Sequence, residues 1–181
     1  MKDNLPSRNK KGETKEEHLP VFGVGPYYVA GITAADIIGI IMSAKGFLKS
    51  GQIDTTPAVL LMTALGAVLI IGGILVWKAS VAGRKSIVGY IESNTLCTTG
   101  VYSIVRNPCY SGIMLVCTGV LLISHNLWLL ILPPIYWIAM TVLMKCTEEK
   151  WLYGLYGQEY LEYCKKVNRC IPWFPKKNYT E

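Results

Sequence analysis

The sequence predicts an all-α integral membrane protein with about four transmembrane helices, and three observations carry that prediction. Hydrophobic residues make up 51% of the 181 positions and mean hydropathy is +0.33, too apolar for an ordinary water-soluble chain of this length. Four apolar stretches, separated by polar connections, are each about long enough to cross roughly 30 Å of hydrocarbon at 1.5 Å of helix rise per residue. The basic residues are unevenly shared: five precede the first stretch, four lie between the second and third, and seven follow the fourth, while only Lys45 and Lys49 fall elsewhere. By the positive-inside rule, both termini and the segment between spans two and three face the cytoplasm.

In chain order, Met1 to Pro20 is rich in Lys, Glu and Asn without apolar periodicity and reads as a disordered cytoplasmic tail, not a signal peptide. Pro26 marks the start of span one, about Tyr27 to Phe47. Inside it stands Asp36, flanked by Ala34, Ala35 and Gly39. A carboxylate at that depth is costly enough to face the bundle, either as a ligand contact or as a partnered structural group. Pro57 opens span two, which ends near Trp77 and Lys78, and its Gly66, Gly72 and Gly73 allow another helix to approach closely. Ala79 to Val105 reads as one long amphipathic loop. Span three, about Asn107 to Ser124, and span four, about Leu127 to Met144, are separated only by His125 and Asn126 and form a tight hairpin. Pro133 and Pro134 are expected to kink or interrupt the fourth span.

Beyond Lys145 the chain turns polar. Tyr153, Tyr156, Tyr160 and Tyr163 recur three, four and three residues apart, which puts them on one helical face for a membrane interface or for packing against the loop. Trp173 and Phe174, set between prolines, make a further interfacial anchor. The net charge of +6 is spread through tails and connections instead of being clustered with aromatics, which argues against nucleic acid. Six cysteines occur without a CxxC pair or a neighbouring His cluster, so neither a zinc site nor a disulfide framework is indicated.

Strongly polar groups concentrate in NTLCTTGVYSIVRNPCYSG, from Asn94 to Gly112, at the mouth of the apolar hairpin. Pro108 reads as a helix start, since proline at the first turn gives up only a donor that the helix leaves unpaired. Arg106 and Asn107 then sit at a helix N-terminus, where an anionic group is favoured. On the same side of the membrane, Glu148 and Glu149 could hold an ammonium or simply form an acidic first turn. Backbone amides around Leu96 could pair with a flat heterocycle. An amino-acid nucleoside such as S-adenosylmethionine carries all three features.

The pattern TxGVYxxxRNPxY, then EEKWLYxLYGQEYLEY after a hairpin, then a closing IPWFP, resembles the membrane-embedded methyltransferases that include the isoprenylcysteine carboxyl methyltransferases and the phospholipid methyltransferases. The resemblance runs from Asn94 to Pro175 and implies one membrane methyltransferase domain over residues 21–181. It implies S-adenosylmethionine as cofactor, in a cytoplasmic pocket formed by the segment before span three and the C-terminal helical segment. Carried over by position, it implies cofactor contacts from Asn94, Thr95, Leu96, Cys97, Tyr102, Arg106, Asn107, Pro108, Cys109, Tyr110, Glu148 and Glu149. Arg106, Asn107, Tyr110 and Glu149 are the candidate catalytic residues, and no metal is implied.

Two departures bear on the acceptor. Where the prenylcysteine enzymes usually carry His, this chain has Asn107, which keeps hydrogen-bonding capacity but does not titrate near neutral pH. Where they carry an Arg shortly before the Glu pair, this chain has Met144 with Lys145 beside it. Both tilt the expectation toward a lipid amine or another small-headgroup lipid over prenylcysteine. Two other classes fit part of the pattern. One is an NADPH-dependent membrane reductase of the sterol-reductase type, whose motif has Asn where Cys109 stands; the other is a non-enzymatic membrane partner protein.

Overall fold

A computed structural model describes residues 24–92 and 95–171, and over 84–92 the backbone alone. The expected N-terminal tail, Asn94 and the Trp173–Phe174 anchor lie outside the described residues. The chain is all-helical: α1 (Gly25–Ala44), α2 (Thr56–Glu92), α3 (Pro108–Ile123), α4 (Leu132–Cys146), α5 (Glu148–Tyr156) and α6 (Gln158–Lys166). Short 3-10 turns at Lys49–Gly51, Gly100–Ser103 and Leu127–Ile131 lie between them. Three helical stretches, Gly25–Ala44, Thr56–Gly83 and Leu127–Tyr156, are long and apolar enough to cross a membrane, and α3 is a shorter apolar helix beside them. Their outward faces are apolar: Leu60, Val68 and Leu75 on α2 and Ile138 and Val142 on α4 are each more than half exposed. Such faces suit lipid and not water.

The second helix departs most from expectation. It does not end at Lys78 but continues to Glu92, so the expected loop from Ala79 is helix for its first fourteen residues. At 1.5 Å per residue its 37 residues span about 55 Å, well beyond the hydrocarbon thickness. The part of it long and apolar enough to cross a membrane runs over Thr56–Gly83. No proline follows to break the backbone ladder before the Ser-Asn-Thr run at 93–95.

Two glycine pairs lock α2 to α3. A Cβ on Gly66 would lie 2.7 Å from Gly119 O, one on Gly119 2.6 Å from Gly66 O, and Gly73 and Gly112 face each other in the same way at 2.5 and 2.7 Å. The pairs are seven residues apart on both helices, two turns, so one antiparallel seam uses both. Gly72, expected to share this role, has nothing within 4 Å. Replacing Gly119 by valine should therefore force the backbones apart and cost about 3 kcal/mol, a limit set by overpacking. The measure is a lowered thermal unfolding midpoint in detergent, with Gly72→Ala neutral; a Gly119→Val protein melting with the parent would show that the seam is dispensable.

The hairpin between α3 and α4 turns at His125, which adopts φ 52°, and at Asn126 as expected. Asn126 is fully buried and donates through Nδ2 to Ser43 Oγ and Leu48 O, while its Oδ1 accepts from Trp128 N. This clasp ties the α1–α2 connection to the hairpin. Pro133 and Pro134 kink nothing in mid-span: the 3-10 turn ends at Ile131, and they occupy the first turn of α4, where proline is tolerated. Asp36 is the partnered carboxylate of the two readings. It is 5% exposed and accepts a 2.6 Å hydrogen bond from Tyr136 OH, while Tyr28 OH donates to Tyr136 O at 3.1 Å. The core of Tyr28, Ile32, Met114, Leu121, Tyr136, Met140 and Met144 surrounds this pair.

Candidate functional site

At one end of the bundle, the start of α3 meets the chain that follows α6. Residues 105 and 168 form a parallel bridge, and the N–H groups of Arg106 and Asn107 donate to Asn168 O (2.8 Å) and Arg169 O (2.9 Å). Asn107 Nδ2 also donates to Arg169 O at 3.2 Å, and Ser111 Oγ donates to Cys170 O at 2.6 Å. Backbone carbonyls of 168–170 thus lie across the entrance of α3 and take two amides that could have received an anion. The Arg106 side chain remains there as a charged donor for an acidic group.

Arg106 is the hub. Its Nη1 donates to Tyr160 OH at 3.2 Å and to Cys164 Sγ, and lies 3.2 Å from Glu149 Oε1, with the guanidinium 5.9 Å from the Tyr160 ring centroid. Glu149 is held more tightly from the other side, since Arg169 Nε and Nη2 reach its two oxygens at 2.6 and 2.8 Å. This fork-on-carboxylate geometry is the strong form of the ion pair. Its hydrogen bonds keep the Arg169 guanidinium more firmly protonated than usual. Glu149, expected as a cofactor contact, therefore already serves as the shared counter-ion of two arginines.

Glu148 is placed differently. It accepts a 3.0 Å hydrogen bond from Tyr110 OH, on the first turn of α3 with the fully buried Pro108 and the half-buried Cys109. The Glu pair does form an acidic first turn of α5, but a half-buried one. On the far side the chain at 95–98 runs without helix, with Leu96 and Cys97 half-buried, and Tyr156 OH donates to Thr95 O at 3.3 Å. Tyr102 lies in the 3-10 turn, and its carbonyl accepts from Tyr163 OH at 2.5 Å. Asn94 lies outside the described residues.

The expected tyrosine stripe is divided. Gly157 (φ 55°) separates α5 from α6, so Tyr160 and Tyr163 turn inward, 3% and 8% exposed, while Tyr153 is 51% exposed. Burial raises the Tyr160 and Tyr163 hydroxyls well above their ordinary range, which leaves them neutral, Tyr160 accepting from Arg106 and Tyr163 donating to Tyr102 O. Packing explains these two, and an interfacial position remains suitable for Tyr153. Sequence reading counted Arg169 only as a topogenic charge and did not single out Asn168 or Cys170. The available signal was that Arg106 and an adjacent Glu pair, once buried together, require further polar partners, and NRC just before IPWFP supplies them.

Fold and site define an all-helical membrane protein with a polar, aromatic-walled site at one end of its bundle. The phospholipid methyltransferase family profile matches residues 61–159, from α2 through the first residues of α6. Among curated proteins, "Probable protein-S-isoprenylcysteine O-methyltransferase" from Oryza sativa subsp. indica is 30% identical over 122 residues, covering 60% of each chain. The protein of the same name from subsp. japonica matches equally. The chain thus spans about 60% of the length of these relatives. It belongs to the phospholipid methyltransferase family, whose methyl donor is S-adenosylmethionine.

The residues present fit that donor. Among the described residues, Arg106 Nε is buried without a hydrogen-bond partner, a donor suited to a ligand carboxylate. Glu148 beside Tyr110 suits an ammonium, and the surrounding tyrosine rings suit a sulfonium cation.

Proposed function

We propose that the chain transfers a methyl group from S-adenosylmethionine to a lipophilic, membrane-borne acceptor, a lipid amine or carboxylate. The observation that carries this reading is the Arg106 hub, with one guanidinium nitrogen unpartnered among the described residues, in a buried site of a family that uses this donor. Arg106 would hold the donor's carboxylate, and Glu148, oriented by Tyr110, its ammonium. Thr95, Leu96, Cys97 and Tyr102, with the neighbouring Asn94, would line the heterocycle. Glu149 acts through others: with Arg169 it fixes the guanidinium of Arg106. When bound, S-adenosylmethionine supplies a methyl already activated on sulfur. The chain's part is to orient donor and acceptor in line and to exclude water. No covalent enzyme intermediate is invoked, since the methyl donor is already activated.

A lipophilic acceptor would enter from the side of the bundle. An apolar recess of about 360 Å³ between α3 and α4 is lined by Met114, Leu115, Thr118, Pro133, Trp137 and Ile171, and Ile171 follows directly on the Cys170 carbonyl bound by Ser111. It would take an acyl chain, leaving the headgroup at the polar end. Asn107 favours an amine or other small headgroup over prenylcysteine. Membranes given methyl-labelled S-adenosylmethionine should yield label extractable into organic solvent; label confined to water or to protein would contradict a lipid acceptor.

The sidedness follows from the distribution of basic residues, which supports a cytoplasmic site and cytoplasmic termini across four spans. Cys146, exposed at the site end of α4, tests it. In a variant retaining this cysteine alone, a membrane-impermeant maleimide should label it only after permeabilisation, and labelling of intact cells would reverse the topology.

A further inference from the structure

We infer that the start of α1 is a wall of the candidate site and positions the Tyr110–Glu148 pair, an inference that rests on the cofactor reading only for its consequence in binding. The family match begins at residue 61, so it assigns nothing to α1. Yet Gly25, the buried first residue of α1, lies flat against the Tyr110 side chain: a Cβ there would fall on Tyr110 Oη and lie 2.8 and 2.9 Å from Cε1 and Cζ. One turn on, Tyr28 meets the same ring edge-on, with centroids 6.0 Å apart and planes at 86°. The Tyr110 hydroxyl is the one that donates to Glu148 Oε1 at 3.0 Å.

The wall is itself anchored. Tyr28 OH donates to Tyr136 O, and Tyr136 OH to Asp36 Oδ1 two turns further along α1, so polar contacts hold α1 to α4 in the apolar interior, where sliding would strand a carboxylate. Gly25 is thus small because the ring must pass it, and Tyr28 fixes the ring's tilt. Both are positioning residues for Glu148, acting through Tyr110.

The test uses full-length protein in detergent and two readouts, S-adenosylmethionine binding and carbodiimide labelling of Glu148 followed by peptide mass spectrometry. Gly25→Ala should raise Glu148 labelling severalfold, to the level of Tyr110→Phe, and weaken binding at least tenfold. In the Tyr110→Phe background, which already lacks the hydroxyl that orients Glu148, adding Gly25→Ala should change either readout less than threefold. Equal effects of Gly25→Ala in both backgrounds, or parental labelling in the single variant, would overturn the inference. Should Gly25→Ala fail to accumulate, Tyr28→Leu removes the ring edge and must raise labelling likewise. The labelling stands whether or not the cofactor binds, so a parent that binds no S-adenosylmethionine but shows this pattern would fail the functional reading alone.

Discussion

Arg106→Ala is expected to abolish detectable S-adenosylmethionine binding in a protein that still inserts and folds. The guanidinium carries a buried Nε with no partner among the described residues, and the side chain is only 9% exposed, so a ligand carboxylate facing it would be largely desolvated. Losing such a charged partner costs about 2–5 kcal/mol, roughly thirtyfold to several thousandfold in affinity. The fold should survive because Arg169 alone still satisfies both oxygens of Glu149, and the Arg106 backbone N–H still donates to Asn168 O. Glu148→Ala should act similarly, since it removes the carboxylate that Tyr110 orients toward the site. Filter binding checks affinity, and the unfolding midpoint in detergent, unchanged within a few degrees, checks the fold. Parental affinity in both variants would contradict the assigned pocket.

Glu149→Ala should do the opposite and damage the structure first. It leaves two guanidinium groups, 9% and 17% exposed, facing each other without a counter-ion. Removing one partner of a buried pair costs about 3–5 kcal/mol, and residual solvent contact here argues for the lower end, about 3 kcal/mol. The damage should be local. Arg169 would no longer tether residues 168–170 across the start of α3, so hydrogen exchange should accelerate at the amides of Arg106 and Asn107, which donate to that segment. A lowered unfolding midpoint with faster exchange at those two amides is the predicted outcome. Parental stability with loss of binding alone would return Glu149 to the role of a direct ligand.

The division between these two glutamates could not be read from the sequence. Adjacent residues on a helix point about 100° apart, so one can face Tyr110 and the other the arginines, but which does so depends on where the chain after α6 returns. That return is a long-range contact, made by a two-residue parallel bridge with no periodicity to announce it. The spans were legible because apolar runs and prolines mark them locally: Pro26, Pro57 and Pro108 each stand within the first turns of a helix. The end of α2 was not, because hydropathy reports the solvent a helix traverses and not whether its hydrogen-bond ladder continues. Gly66 and Gly73 were legible as packing residues, and Gly72, one position off their face, shows that composition alone does not say which glycine meets the partner. Asp36 had two readings in sequence, and Tyr136, one hundred residues away, decides between them.

The proposed binding place of S-adenosylmethionine is between the α3 entrance, the 95–102 segment and the start of α5. Ultraviolet photolabelling of the purified full-length protein with radiolabelled S-adenosylmethionine, followed by peptide mapping, tests it most directly. Label is expected on peptides spanning Thr95–Tyr110 or Glu148–Tyr156, displaced by excess unlabelled cofactor and absent in Arg106→Ala. Displaceable label confined to α1 beyond Asp36 or to the 125–135 hairpin, at the opposite end of the bundle, would contradict it.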